Sequence, residues 1–343
     1  MKTRTLFRSM LAVGLLSISD TTPVRAEDAV APAPPGKLYE VGGHAMHLYA
    51  TGLSRPGPSV VLEAGSGAFS IDWSLVQSEV AGFAPVCSYD RAGHAWSELG
   101  PRPRTMRQAA RDLHALLQKA GIRGPRVMVG HSLGGLFVRV FAAQYPDEVA
   151  GVVLVDSSME ESPMFLNGKM VGSWDEAKPR TILSARESIR DDERVLSAPE
   201  LQGYRQFREW AGAPKIEEPF DRLPEAIQKL RLWAMALPQS NVTDYNDYRA
   251  EEYLLLFADR VRLGHPLGNK PLVVLTRKTD EAAHMEGQRK LLDLSGNSAF
   301  AVSEYSIHEI QLAQPELVVR AVRAVIKSIE TGGRVELPKG GRR

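Results

Sequence analysis

A serine flanked by two glycines stands where an apolar strand pattern gives way to an apolar helix pattern. Residues 126–135 read Arg-Val-Met-Val-Gly-His-Ser-Leu-Gly-Gly. Val127, Met128 and Val129 form a short apolar run suited to a strand buried on both faces. Leu136, Phe137, Val138, Val140 and Phe141 then open a helical pattern. A turn this tight between strand and helix leaves no room for side chains, so Gly130 and Gly134 are required on steric grounds. Ser132 is thereby lifted above the sheet edge, and the N–H of Leu133 at the helix start is free to face a developing anion. A strand that feeds directly into a helix through such a turn belongs in a parallel sheet covered by helices.

The rest of the chain follows that alternation. Leu38–Val41 and His44–Tyr49 flank Gly42-Gly43 as an antiparallel ribbon. Ser59–Glu63 and Pro85–Tyr89 read as buried strands, with a helix from Trp73 to about residue 82 between them. Thr105 caps a helix that runs to Ala120 and ends at Gly121. The helix after Ser132 stops near Tyr145-Pro146, and Gly151–Val155 is the next strand. The pattern then breaks from Ser157 to about Lys270, where helical and irregular stretches prevail. It resumes with strands at Pro271–Thr276 and Ala299–Tyr305 and helices at Ala282–Leu292 and Pro315–Ile329. The expected fold is α/β, a mostly parallel central sheet with helices on both faces and a largely helical insertion. The core covers 37–156 and 271–330. The insertion, 157–270, enters at the carboxyl edge of the sheet, where ligands bind in such folds, and so is a candidate lid.

The ends read differently. Lys2, Arg4 and Arg8 precede an apolar Met10–Ile18 segment, and Val24-Arg25-Ala26 is a small-x-small pattern. Residues 1–26 therefore read as a secretory signal peptide, which implies a periplasmic or secreted protein. Residues 27–36 read as a Pro/Ala-rich linker and 331–343 as a frayed tail. With 42 Lys and Arg against 41 Asp and Glu, the net charge of +1 suggests no nucleic-acid or anionic-surface partner. No apolar stretch is long enough to span a membrane. The lone Cys87 has no intrachain partner and reads as a small core residue. No histidine shows metal-ligand spacing, so neither a metal nor another cofactor is expected.

Beyond the serine turn, the chain resembles the α/β-hydrolase fold superfamily over roughly residues 37–330. Val60-Val-Leu-Glu-Ala-Gly-Ser-Gly with Asp72-Trp73 is similar to its oxyanion strand and following helix. Ser88-Tyr-Asp-Arg-Ala-Gly is similar to its Y-D-x-R-G-x-G segment, and Val129-Gly-His-Ser-Leu-Gly-Gly to its nucleophile elbow. The chain departs from the family with Ala64-Gly65 where His-Gly is common, and with Gly93-His94-Ala95 where a further glycine is usual. The resemblance implies an oxyanion hole built from the backbone N–H groups of Leu133 and Ser66, with Gly65 the alternative to Ser66.

It also implies the order serine, acid, histidine. His308, in the loop after the last strand and preceded by Ile307 where glycine is frequent, is the expected base for Ser132. His131 is expected to face the sheet, and His284 to do no more than open a helix. Asp280, a few residues past the Pro271–Thr276 strand, is the leading acid, with Glu281 a possible substitute. Asp156, at the end of the preceding strand, is the alternative. Asp90 and Arg91 read as an internal ion pair. The insertion's aromatics, Trp174, Trp210, Trp233, Tyr245, Tyr248 and Tyr253, read as its own small core or as a substrate lining. These residues point to a serine hydrolase acting on small carboxylic esters or lactones through an acyl-enzyme. An amidase or peptidase using the same triad, and a binding protein without turnover, are the competing readings.

Overall fold

The computed structural model describes residues 31–101, 104–159, 164–166, 169–171, 198–242, 256, 259 and 262–337. The 1–26 segment lies outside them. Eight strands form the main sheet: β1 (Lys37–Val41), β2 (His44–Thr51), β3 (Ser59–Glu63), β4 (Val86–Tyr89), β5 (Arg126–His131), β6 (Val149–Val155), β7 (Leu272–Thr276) and β8 (Ser298–Val302). They lie in the order β1-β2-β4-β3-β5-β6-β7-β8. β1 and β2 pair antiparallel, as do β2 and β4, and every later pair is parallel. The fold class expected from the sequence is the one observed.

Alternation along the central strands sorts their side chains into two cores. Val127 and Val129 of β5, Val153 and Val155 of β6 and Val273 and Leu275 of β7 face one layer, formed by α1 (Ser74–Val80) and the closing helix Pro315–Thr331. Met128, Val152, Leu154, Leu272 and Val274 face the other, where α2 (Met106–Lys119) and α3 (Gly134–Gln144) pack. The Thr105 hydroxyl accepts the Gln108 N–H at 3.1 Å, the expected cap of α2. Cys87 is buried on this second side, and burial pushes its thiol up to about 12, so it is chemically quiet.

The insertion is helical in α4 (Ala198–Ala211), α5 (Glu225–Ala236) and α6 (Pro238–Val242), with a short antiparallel pair at Met164–Leu166 and Lys169–Val171 that its sequence did not signal. α5 docks on the core. Arg231 of α5 meets Asp72 at 2.5 Å, with both side chains buried, and Trp233 packs on Trp96 at 4.9 Å between ring centroids. Trp233 thus belongs to a contact with the core instead of a private insertion core. Trp174, Tyr245, Tyr248 and Tyr253 lie outside the described residues, while Trp210 is exposed.

Two terminal stretches are more fixed than their composition suggested. The Trp96 indole donates to the Pro32 carbonyl at 2.7 Å, so the end of the expected 27–36 linker is placed against the core. Val335 is buried and its N–H meets the Asn297 side chain at 2.8 Å, so the expected tail is docked at least that far. Beyond β7 come α7 (Ala282–Lys290), α8 (Ile310–Ala313) and α9, the closing helix Pro315–Thr331.

Candidate active site

Parallel register brings the site together. His131 pairs with Val155 across β5 and β6, and Val155 pairs with Leu275 across β6 and β7. The next residues, Ser132, Asp156 and Thr276, therefore leave adjacent strands at one edge of the sheet. Ser132 has φ of 51° and Asp156 has φ of 41°, both left-handed. Such strain in non-glycine residues persists only where the surroundings impose it. At Ser132 the imposition is visible. Its N–H donates to Val155 O at 3.0 Å, and its carbonyl accepts from Gly135 and Ser158 at 3.0 and 2.9 Å. A Cβ on Gly130 would lie 2.5 Å from Gly134 O, and one on Gly134 would lie 2.5 Å from Glu63 O. The turn is closed to any larger residue at both positions.

His308 comes from the loop after β8, as expected, and its Nδ1 lies 2.6 Å from Asp156 Oδ2. A carboxylate oxygen only accepts, so Nδ1 carries a proton and donates it. Asp280, the acid favoured by the sequence, does not make this bond. It is exposed, just ahead of Glu281, which stands at the N-terminal boundary of α7. Glu281 is itself turned outward, 74% exposed, and 3.9 Å from Arg277. The chain leaves β7 with Arg277 aimed inward, its guanidinium 2.6 Å from Asp156 Oδ2.

Asp156 is fully buried and accepts from an unusually full set of donors. Oδ2 meets His308 Nδ1 and Arg277 Nη1, each at 2.6 Å. Oδ1 meets the Thr276 hydroxyl and His284 Nε2, each at 3.0 Å, and the Arg277 N–H at 3.1 Å. Burial alone would raise its pKa. The bond and charge of His308, and then the Arg277 backbone and side chain, outweigh burial and hold the carboxyl well below the usual carboxylate range.

His131 faces His308 and not the sheet alone. Their ring centroids are 4.6 Å apart, and His131 Nε2 donates to the His308 carbonyl at 3.1 Å. Burial, with the neighbouring His308, pulls His131 down to about 3, so it is a neutral donor that pins the histidine loop to the serine turn.

The loop after β3 lies against that turn. A Cβ on Gly65 would sit 3.0 Å from His131 Nδ1 and 3.2 Å from Ser132 Cβ. Arg91 donates to Ala64 O at 2.7 Å and to Gly65 O at 2.8 Å, and pairs with Glu63 at 2.7 Å. In a trans peptide the carbonyl and the following N–H point opposite ways. Arg91 thus turns the N–H groups of Gly65 and Ser66, the two donors weighed from sequence, away from itself. Ser66 is exposed. The expected Asp90–Arg91 pair is not formed: Asp90 instead binds His47 Nδ1 at 2.7 Å and the Ser70 N–H at 2.8 Å. Each residue fixes a different stretch of the same loop. Leu133 is buried at the start of α3, where backbone N–H groups have no partner within the helix.

A cavity of about 320 Å³ lies between this loop and the insertion, with Gly67 and Phe69 on one side and Phe207, Met235 and Ser240 on the other.

Sheet order, serine turn and a histidine–carboxylate pair on one edge define a hydrolase-fold protein, and comparison with known proteins gives the same class. A family model for the alpha/beta hydrolase fold matches residues 60–215. The chain is 24% identical over 318 residues to "Probable transporter efuK" of Hormonema carpetanum, covering 88% of this chain and 44% of that protein. It is 22% identical over 284 residues to an AB hydrolase superfamily protein of Gibberella zeae, covering 79% and 87%. Among solved structures it is similar to a thermophilic esterase from Thermogutta terrifontis, with a TM-score of 0.62 and 23% identity over 86% of this chain and 99% of that one. The chain has the α/β-hydrolase fold, and the family model covers its residues 60–215. It spans less than half the length of the Hormonema relative.

Proposed function

We propose that this protein is a serine hydrolase that cleaves small carboxylic esters or lactones with Ser132, His308 and Asp156. The observation that carries the reading is the 2.6 Å bond from His308 Nδ1 to a buried carboxylate on the strand next to Ser132. Asp156 sets the tautomer that leaves His308 Nε2 basic and offsets the charge of the imidazolium when it forms. Ser132 Oγ attacks the carbonyl carbon as its proton passes to Nε2. The oxyanion is received by the N–H of Leu133 and by that of Ser66 or Gly65. Collapse expels the alkoxide, which takes the proton from His308, and water hydrolyses the acyl-serine by the same route in reverse. Every proton is accounted for within the triad.

The described part of the insertion acts in this reading as the roof of the acyl or alcohol pocket. Export belongs to the same proposal and rests on residues 1–26; N-terminal sequencing of the mature protein from its native host, beginning at Glu27, is the result it requires.

The reading is tested with a fluorophosphonate probe, followed by peptide mass spectrometry and an ester and amide panel. Stoichiometric adduct on Ser132, absent from Ser132→Ala and His308→Ala, is expected, with esters turned over faster than matched amides. Folded wild-type protein that takes no label would sink it.

A further inference from the structure

His284 was given no role by the sequence beyond opening a helix, yet its Nε2 lies 3.0 Å from Asp156 Oδ1. The carboxylate oxygen only accepts, so Nε2 carries the proton and donates. The buried carboxylate therefore lies between two imidazoles, His308 on Oδ2 and His284 on Oδ1. Thr276 Oγ1 is 3.1 Å from the same His284 nitrogen and 3.0 Å from Oδ1. Its hydroxyl has a second acceptor, Arg277 O, at 3.4 Å. Without His284 that hydroxyl gains freedom to turn away, and Oδ1 is left with less to fix it. The torsion that sets the plane of an aspartate carboxylate is broad and soft, so donors on both oxygens are what hold it. The helix that brings His284 is itself tied to the segment after Asp156, through Gln288 Nε2 on Ser157 O at 2.7 Å. Donor and acceptor thus move as one unit.

We propose that His284 is a positioning residue. It orients the Asp156 carboxylate so that Oδ2 stays aimed at His308 Nδ1, and it acts on the reaction only through Asp156. This inference rests on the serine-hydrolase reading above. A group that aligns the acid serves the transition state, in which the imidazolium forms, more than substrate binding. Its loss should fall on kcat and leave KM largely alone.

The test uses the mature protein with p-nitrophenyl butyrate as substrate and a fluorophosphonate as probe, comparing wild type with His284→Ala, His284→Gln and His284→Asn. Glutamine carries an N–H at about the reach of Nε2, whereas the asparagine N–H stops at about the reach of Nδ1. His284→Ala and His284→Asn are expected to lower kcat and the limiting labelling rate about tenfold, the size of a lost hydrogen bond to a charged group, with KM nearly constant. His284→Gln is expected to recover most of the loss. Unchanged kcat in His284→Ala, a loss confined to KM, or glutamine no better than asparagine would each overturn the proposal. If the alanine variant does not fold, the glutamine and asparagine pair decides alone. Failure of the underlying reading shows elsewhere, as full turnover by Ser132→Ala or an unlabelled wild type, and would take this inference with it.

Discussion

Asp156 and Asp280 differ by position on the sheet, and the difference makes a sharp prediction. Asp156 follows β6 directly and meets His308, while Asp280 lies four residues past β7 and faces solvent. Asp156→Asn removes the negative charge beside the imidazolium and presents an amide that can hold the wrong tautomer. It should lower kcat by about 10³- to 10⁴-fold, whereas Asp280→Asn should stay within about twofold, as read by steady-state kinetics on an ester. The residue scale is also where the sequence was least legible. Ser132 and His308 stand out by motif and chain order. The carboxylate that meets His308 does not, because two aspartates follow two strands and only side-chain direction separates them. His131, His284, Thr276 and Arg277 carried no signal at all. Their contacts arise from register between strands and from the turn of one loop, neither of which is a local property of sequence.

Elements were far more legible, because period and capping are local. The strands around Ser132 and the helices at Met106–Lys119 and Pro315–Thr331 stand where alternation, Thr105 and Gly121 predict them. What local pattern could not give was docking between distant elements. Arg231 of α5 meets Asp72, 159 residues away, and its guanidinium lies 3.6 Å from the centre of the Phe220 ring. Asp72 in turn accepts the Phe69 N–H at 3.0 Å, on the loop that follows β3. Removing one partner leaves a buried charge alone. Arg231→Met is expected to destabilise the fold by about 3–5 kcal/mol in urea denaturation, and the double variant Arg231→Met, Asp72→Leu to recover much of that. Equal stabilities for the single and double variants would show that the pair is not coupled.

Across the whole molecule, protons link this site to folding. His131 is neutral in the fold, pulled from 6.5 to about 3, mainly by burial. In the unfolded chain it protonates near its ordinary value, so below about pH 6.5 the unfolded state binds more protons and stability falls as pH falls. The slope approaches about 1.4 kcal/mol per pH unit until the folded histidine itself titrates. Asp156 acts in the same direction at lower pH. Its folded pKa is depressed, so its contribution is full above the ordinary carboxylate range and is lost as pH falls below it. Melting temperatures measured from pH 7 to pH 4 should decline in wild type, and the decline should flatten in His131→Asn. A parallel decline in both would remove His131 from the account.

The contact between Arg231 and Asp72 also bears on how far the insertion can part from the core. A door swings on a hinge whose two leaves part at little cost. Here one leaf is bolted to the frame by a charge pair shut away from water, with Trp233 laid against Trp96 beside it. Parting them would strip a guanidinium and a carboxylate at once, far above thermal energy. The helix Glu225–Ala236 is therefore masonry: it is built into the core beside the loop after β3.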